Sequence, residues 1–262
     1  ESSFENQKLE DKYALEGGIF IQNDQKINDI ISLQYGLRYS AFNFMGKGSA
    51  YEFDLDGNPT DTSIYKDWES IEYYGGLEPR FSIKYQLDDV SSLKASYNRM
   101  MQYMHLLSNT TTSSPTDLWV PSSNNVKPQI ADQVAIGYFR NFKDNLFEFS
   151  FEIYGKTLQN QIDYRNGANL FFNEQIESEL LYGKGLAYGA EFYLRKRKGK
   201  FTGWLSYTLA RSIRQFEGVN NGDWYSSRQD RIHDIAIVGI YKITEKLTAS
   251  ANWVFYTGDA VT

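Results

Sequence analysis

The chain has two histidines, and one of them, His233, stands between two aspartates. The segment 230–234 places Asp230 three residues before the histidine and Asp234 directly after it. An Asp–His pair can take a proton from water and create a nucleophile, which is the chemistry of a hydrolase. The same residues are typical of a junction between a loop and a strand, and we favour that interpretation. His105 is interpreted as an interfacial or loop residue.

Oxygen-bearing side chains at alternate positions of segment 54–58 resemble a calcium-binding loop. Pro59 stands where that loop pattern requires glycine, so residues 53–59 are better interpreted as a turn at the tip of a hairpin. The chain contains no cysteine, which excludes disulfides and thiol chemistry. No metal site and no cofactor are therefore predicted.

The charge balance argues against nucleic acid as a partner. Lys and Arg number 27 against 33 Asp and Glu, which gives a net charge of −6. A general nucleic-acid binder needs a basic face to neutralise phosphates, and none is evident. The densest basic run, at 195–200, is interpreted as a solvated turn.

Large aromatic side chains in polar segments are candidates for ligand binding. Water disfavours an exposed tryptophan unless it packs or binds something. Aromatic rings with amides and charges beside them suit a sugar or peptide ligand, although packing of loop on loop explains Trp119 equally well. The candidate ligand-binding residues are Trp119, Asn124, Asn221, Asp223, Trp224, Tyr225 and Arg228.

The elements that must position these residues are strands, because apolar and polar residues alternate with period 2. Ile71, Tyr73, Leu77, Phe81 and Ile83 alternate with polar neighbours. The same test predicts ten strands, at 13–22, 29–44, 70–86, 90–106, 131–142, 146–157, 184–196, 201–212, 234–243 and 247–256. Pro79 interrupts the best of them, and we expect a bulge or a strand end there.

The connections between the predicted strands alternate in length. Tight turns fall at 23–28, 87–89, 143–145, 197–200 and 244–246, and long loops at 45–69, 107–130, 158–183 and 213–233. Short turns at one edge and long loops at the other are typical of an outer-membrane β-barrel, in which outward side chains face lipid. A soluble β-sandwich is the alternative. The fold class predicted is all-β, an antiparallel transmembrane β-barrel segment of about ten strands with short periplasmic turns and long extracellular loops.

Polar residues on the inward face are expected to contact water or whatever fills the barrel. We predict that this face carries Glu72, Glu78, Arg80, Lys84, Glu148, Glu152, Glu191 and Arg195.

Several motifs resemble the barrel of TonB-dependent outer-membrane receptors, particularly those of Bacteroidetes-type bacteria. They are LEPRFS (77–82), LKASYNR (93–99), PTDLWVP (115–121), KPQ (127–129), GKGLAYG (183–189), GWLSYT (203–208) and DRIHD (230–234). The resemblance extends from about Tyr13 to Tyr256, and it carries no information about the ligand.

The resemblance implies a 22-stranded barrel closed by an N-terminal plug, which imports a nutrient with energy relayed by TonB from the inner membrane. Its implied partners are outer-membrane lipid, the plug, the TonB system and, in some receptors, a surface lipoprotein. Residues 1–262 are then expected to be part of one barrel, with the plug and the remaining strands outside this sequence. Two alternatives stay open: a ten-stranded omptin-like hydrolase that uses His233 with Asp230 or Asp234, and a passive porin-like barrel.

Overall fold

The computed structural model describes residues 11–54, 57–107, 118–165, 167–168, 173 and 175–258. Its strands, in chain order, are β1 Tyr13–Lys26, β2 Ile31–Met45, β3 Gly48–Phe53, β4 Pro59–Tyr65, β5 Ser70–Asp88, β6 Ser91–Gln102, β7 Met104–Leu107, β8 Leu118–Pro121, β9 Gln129–Phe142, β10 Phe147–Tyr164, β11 Leu180–Lys196, β12 Phe201–Phe216, β13 Tyr225–Ser226, β14 His233–Lys242 and β15 Thr248–Tyr256. Two 3₁₀ turns, Ile176–Glu179 and Asn220–Gly222, complete the described elements. Neither turn has the length or the apolar composition that a membrane-crossing helix needs.

Ten long strands form one antiparallel wall in the order β1-β2-β5-β6-β9-β10-β11-β12-β14-β15. Each neighbour in space is the next long strand in sequence, so the wall is a meander of hairpins. The strands β3–β4 and β7–β8 form separate hairpins within two long loops, and β13 pairs with β12. The all-β antiparallel fold is therefore confirmed, with β1 and β15 at the edges of the described sheet.

The predicted strands are confirmed, and most of the larger differences lie at the long-loop ends. There β10 runs to Tyr164 and β11 begins at Leu180, so both strands stand taller than the alternating segments indicated. The opposite holds for β6, which ends at Gln102 although the pattern continues to Leu106. The chain turns inward at that point because Tyr103 is buried against β2, which lies beyond β5 in the sheet. At a short-turn end, β1 runs to Lys26, four residues into the turn predicted at 23–28.

Strand register gives the wall two chemically distinct faces. One row of directly opposed residues crosses the whole sheet on one face: Lys26, Ser32, Lys84, Lys94, Gly137, Glu152, Glu191, Thr208, Asp234 and Tyr256. We call this polar face the inner face, because loops and cavities lie on it. The next row of the opposite face contains Leu93, Tyr138, Phe151, Phe192, Tyr207, Ile235 and Phe255.

Charged residues bound the apolar band of the outer face. On β9, Val134, Ile136 and Tyr138 lie between Asp132 and Arg140. Asp132 accepts two hydrogen bonds from Arg99, at 2.8 and 3.0 Å, and one from the Tyr97 hydroxyl at 2.7 Å. The eight residue steps from Asp132 to Arg140 cover about 27 Å along the strand. At a strand tilt of about 40° this corresponds to a height of about 21 Å, slightly less than the apolar band of outer-membrane barrels, about 25 Å.

At Pro79 the strands β5 and β6 separate, and we call this gap between them the fork. Pro79 pairs with Leu37 of β2, but pairing between β5 and β6 begins only at Arg80 and Asn98. The missing N–H of proline therefore falls where the ladder to β6 ends. The expected interruption thus affects only the pairing with β6, since β5 itself continues through Pro79 and stays paired with β2.

Met101 at the end of β6 and Tyr103 just beyond it fill the fork on its inner side. The Met101 thioether lies against Gly76, where the β-carbon of any larger residue would collide with it. The Tyr103 ring stacks on Phe42 with ring centroids 5.2 Å apart, and its hydroxyl lies 2.8 Å from the Ser40 hydroxyl. This cluster closes the gap and fixes the point where the chain enters the barrel mouth.

Candidate functional site

The four long loops lie at one edge of the wall, and three of them meet at a short polar segment, Ser122-Ser123-Asn124-Asn125, which we call the loop hub. The Asn124 and Asn125 amides each donate a hydrogen bond of 2.9 Å to the Tyr51 carbonyl in the β3–β4 loop. Ser123 and Asn125 also donate to the Glu177 carboxylate, each at 2.9 Å. The hub therefore joins the first, second and third loops into one layer.

The loop layer is also anchored to the wall. The Tyr74 hydroxyl on the inner face of β5 donates to the Ser123 carbonyl at 2.7 Å. Beneath the hub, Leu107, Val120, Val126, Ile176 and Leu180 form an apolar core shared by the second and third loops. Because both polar and apolar contacts cross between loops, the layer is a packed structure and not a set of independent loops.

His105 is buried in this layer and is 1% exposed. Its Nε2 lies 3.0 Å from the Ser122 hydroxyl, while Nδ1 has no hydrogen-bond partner among the described residues. Burial lowers the pKa of His105 to about 4, because a low-dielectric environment disfavours the charged imidazolium. The prediction of a loop residue is met, and the histidine is a neutral packing element.

A cavity of about 520 Å³ opens beside the hub. It is bounded by Tyr51 and Phe53 from the first loop, Trp119 and Asn124 from the second, and Gln175 and Glu177 from the third. The Tyr51 and Phe53 rings stack with centroids 6.2 Å apart, and Trp119 is 60% exposed. Aromatic faces beside amide groups are the lining expected of a site for a small polar ligand.

Two oppositely charged residues in the cavity wall form an ion pair with each other. The Lys12 ammonium lies 2.7 Å from the Glu177 carboxylate, which also accepts from the hub. The cavity therefore presents rings, amides and the Asp11 carboxylate, and its lysine is already paired with Glu177.

The remaining predicted ligand residues, Asn221, Asp223, Trp224, Tyr225 and Arg228, lie in the fourth loop. The Trp224 ring lies 5.7 Å from the Lys184 ammonium, and the Tyr225 hydroxyl donates to Asp163 at 3.0 Å. Burial and the Asp163 carboxylate raise the pKa of Tyr225, which keeps its hydroxyl a donor. None of these residues lines the cavity that contains Trp119 and Asn124, so the structure separates the candidates into two groups.

The predicted lumen residues share the inner face. Glu78 is 2% exposed and lies 3.9 Å from Arg38 and 3.8 Å from Arg80. Glu148 bonds Arg197 at 3.0 Å beside a short turn and stands opposite Arg195. Lys84, Glu152 and Glu191 lie in the row that crosses the whole sheet, and Glu72 stands opposite Phe44.

The hydrolase geometry is not formed. The Nδ1 atom of His233 lies 2.9 Å from the Tyr207 hydroxyl. Asp230 instead accepts from the Ser212 amide at 2.6 Å and lies 3.2 Å from Arg211. His233 and Asp234 are consecutive in β14 and so point to opposite faces of the sheet. Among the described residues the histidine has no aspartate partner that would polarise it.

The segment predicted to be a hairpin tip does connect β3 and β4. Asp54 accepts hydrogen bonds from the Asn58 backbone and amide, at 2.8 and 3.1 Å. Its carboxylate thus closes the turn. Leu55 and Asp56 lie outside the described residues.

Sequence reasoning did not identify the hub serines, Asn125, Tyr51 or Glu177. Their contacts join residues as much as 74 positions apart, which no local pattern encodes. The consecutive Ser-Ser-Asn-Asn run was the only available signal, because short polar side chains favour local hydrogen bonding to the backbone.

Known proteins share this architecture. A family model described as TonB dependent receptor-like, beta-barrel matches residues 3–260. No curated protein matches the sequence.

Solved structures share the fold at low sequence identity. The FrpB iron transporter from Neisseria meningitidis superimposes with a TM-score of 0.62 at 15% identity, over 95% of this chain and 33% of its own. The ferric-catecholate import receptor Fiu from E. coli gives 0.60 at 14% identity, covering 91% of this chain and 34% of its own. The alcaligin outer-membrane receptor FauA from Bordetella pertussis gives 0.59 at 12% identity, over 94% and 38%. The chain thus spans about a third of the length of these proteins.

Proposed function

From the membership of this chain in the TonB-dependent receptor-like β-barrel family, whose members are outer-membrane proteins, we propose that it forms part of the wall and mouth of a transporter that takes up a nutrient with energy supplied through TonB. The motifs at 77–82 and 183–189 further favour a receptor of the Bacteroidetes type.

The observation that carries the proposal is the loop layer over a polar inner face. Three loops are tied together at the hub and enclose a cavity lined by aromatic rings and amides. A passive pore needs an open mouth, whereas a receptor that binds a scarce ligand needs a preformed site at the mouth. Preformed binding groups also reduce the entropy lost when a ligand binds.

We assign capture of a sugar or peptide ligand to the cavity at Trp119. The Trp119 ring supplies an exposed flat face, and Gln175 adds an amide. Asn124 acts by holding the first loop through Tyr51. The fourth-loop residues 221–228 form a second, separate contact surface.

The partners follow from the same proposal. Outer-membrane lipid covers the apolar face, and an N-terminal plug fills the lumen against Glu72, Glu78, Arg80, Lys84, Glu148, Glu152, Glu191 and Arg195. The TonB system acts through parts of the protein outside these residues. A surface lipoprotein is a further candidate partner above the loop layer. No cofactor and no nucleic acid take part.

The test is energised uptake by the full-length receptor in cells. We expect fluorescent maltoheptaose or a fluorescent hexapeptide to enter at a rate that falls to background when TonB is deleted or a protonophore is added. A Trp119→Ala variant should lose at least five-fold in uptake, while Trp68→Ala, an exposed tryptophan outside the cavity, should retain it.

Liposome swelling tests the alternative of a passive pore. Proteoliposomes that swell freely in arabinose would identify a passive porin-like barrel and contradict the proposal. Entry of either probe without an energy source, or entry of neither, would contradict it as well.

A further inference from the structure

Two basic residues lie on the outer face at the short-turn edge of the wall, Arg140 of β9 and Lys196 of β11. Arg140 stands opposite Phe149 of β10, and Lys196 stands opposite Phe147. Both phenylalanines alternate with the inner-face residues of β10, so the two cations share the outer face. Short turns of outer-membrane barrels lie on the periplasmic side, which sets these cations at the level of the inner leaflet.

The described wall does not neutralise this pair of cations. The turns beside them are balanced in charge, and Arg197 is paired with Glu148 at 2.9 Å. Arg140 and Lys196 form no ion pair within the described part of the chain, although Asp88 acts on Arg140 from a greater distance. The balancing turn residues are Lys143, Lys198 and Lys200 against Asp88, Asp89 and Asp144.

The opposite edge of the outer face treats its arginines differently. Arg99 lies 2.8 Å from the Asp132 carboxylate, and Arg211 lies 3.2 Å from Asp230. The outward lysine there, Lys184, lies over a tryptophan of the fourth loop. The wall therefore supplies acids to the outward arginines at the long-loop edge and leaves Arg140 without one at the short-turn edge.

Aromatic rings cover the outer face between the two cations, and we call them the ring platform. The Phe149 ring meets Tyr138, Phe142 and Phe192 edge to face, with centroids 6.1, 6.4 and 5.2 Å apart. Phe147 completes the platform at its short-turn end. Flat rings at a membrane boundary suit contact with the upper part of a lipid acyl chain.

Both cations incline toward the turns. The Arg140 guanidinium lies 5.2 Å from the centroid of Phe142, the last residue of β9, and the Lys196 ammonium lies 5.8 Å from that of Phe201, the first residue of β12. Long basic side chains at a membrane edge bend in this way, so that the stem stays on apolar surface and the charge reaches the headgroups.

The separation of the cations suits a single anionic group. One strand lies between them, and the register offsets them by two residues, so their Cα atoms are about 12 Å apart. Two long side chains that flank Phe147 can therefore reach one group lying above its ring. A phosphodiester accepts hydrogen bonds from both guanidinium and ammonium donors.

We propose that Arg140 and Lys196 bind the headgroup phosphate of an anionic phospholipid of the inner leaflet, whose acyl chains lie on the ring platform. Phosphatidylglycerol brings a net negative charge that the described wall lacks at this point. A zwitterionic lipid brings its own ammonium group, which competes with the two side chains for the phosphate. The inference goes beyond uptake, since it needs only the membrane-facing wall, and loss of transport leaves it intact.

The experiment measures lipid selectivity at Phe147 in the full-length receptor. Phe147→Trp, with every other tryptophan replaced by phenylalanine, reports on the lipid that covers this position. Its fluorescence is compared in phosphatidylcholine bilayers that contain equal fractions of brominated phosphatidylglycerol or brominated phosphatidylcholine. We expect phosphatidylglycerol to be enriched at least three-fold around the reporter.

Matched variants separate a local site from overall charge. Arg140→Gln with Lys196→Gln should reduce the enrichment to the bulk level, whereas Arg140→Lys should keep most of it. The control Lys26→Gln with Lys242→Gln removes two charges from the inner face at the same edge and should leave the enrichment unchanged. Folding of each variant is checked by its resistance to SDS before heating.

Native mass spectrometry of the receptor with its own tryptophans covers the case in which the reporter does not fold. We expect the Arg140→Gln and Lys196→Gln double variant to retain one phosphatidylglycerol fewer than the control variant.

Four results overturn the inference. They are equal quenching by the two brominated lipids, an enrichment that survives the double variant, an equal loss in the inner-face control, and loss of the enrichment in excess inorganic phosphate. The third result would assign the effect to overall charge, and the fourth would mean that the cations bind a free anion in place of a lipid.

Discussion

At the scale of the residue, His105 makes the loop layer sensitive to acid. Its pKa is lowered to about 4 in the folded chain from an ordinary value of 6.5. The unfolded loop therefore binds a proton before the folded loop does, so stability present above pH 6.5 is lost as the pH falls toward 4. We expect a loss of the order of 2 to 3 kcal/mol, measured as hydrogen-exchange protection of residues 103–107 corrected for intrinsic rates.

The second histidine provides the control. His233→Gln should leave the pH dependence of residues 103–107 unchanged, whereas His105→Phe should remove it. Equal protection at pH 7.5 and pH 4.5 in the wild type would show that the buried imidazole is not responsible.

A second residue-scale prediction concerns the ion pair at the edge of the apolar band. Asp132→Ala removes both acceptors of the Arg99 guanidinium and the acceptor of Tyr97. A cation without a partner beside lipid should cost about 1–3 kcal/mol, seen as a lower temperature at which the SDS-resistant band is lost.

The double variant Arg99→Leu with Asp132→Leu should regain most of that stability, because an apolar pair leaves no charge unpaired. If the double variant were as unstable as Asp132→Ala, the Arg99–Asp132 ion pair itself would stabilise the fold, and the unpaired Arg99 charge would not explain the loss.

Residue types predicted one lining residue of the candidate site. Trp119 was identified because a large ring in a polar loop needs a reason, and it does line the cavity. The role of Asn124 as a tether to Tyr51 was beyond local reasoning, since the partner lies 73 positions away. The His233 alternative has no Asp–His pair in the structure, because Asp234 faces the opposite side of the sheet and Asp230 contacts Ser212 and Arg211 instead.

At the scale of the element, the fork between β5 and β6 depends on a glycine. Met101 lies against Gly76, so Gly76→Val should push the thioether out of the gap and cost about 1–3 kcal/mol in thermal unfolding. The displaced strand end should also expose the Tyr103 hydroxyl, which now meets Ser40 at 2.8 Å.

Shortening the colliding side chain tests the cause. Met101→Ala combined with Gly76→Val should be more stable than Gly76→Val alone. If the two changes simply add, the valine destabilises for another reason, and the packing interpretation of the fork is wrong.

Strand periodicity predicted every long element but not where β6 ends. The alternation in 90–106 continues past Gln102, yet the chain leaves the sheet there. Tertiary contacts of Tyr103 with Phe42 and Ser40 override a local pattern that is equally compatible with continued pairing. The taller β10 and β11 have the same origin, since Tyr164 and Leu180 join the apolar core of the loops.

At the scale of the whole molecule, the two faces meet different solvents. Trp253 belongs to the outer face, opposite Ile237, and is 53% exposed. Trp204 belongs to the inner face, opposite Arg195. In single-tryptophan variants of the full-length receptor in brominated lipid, we expect strong quenching of Trp253 and little quenching of Trp204.

Quenching by aqueous iodide should give the reverse order wherever water reaches the lumen. Equal quenching of the two tryptophans by brominated chains would be incompatible with a lipid-facing and a lumen-facing side, and would favour a soluble sheet.

The charged row across the inner face has one more consequence. Lys84 and Lys94 lie on one side of β9, and Glu152, Glu191 and Asp234 lie on the other. Where the lumen is emptied of its contents, such separation produces a transverse electric field, strengthened by the low-dielectric wall. A zwitterion passing through would experience a torque that turns its anionic end toward β5 and β6. The described part of the wall would thereby orient a dipolar molecule without binding it.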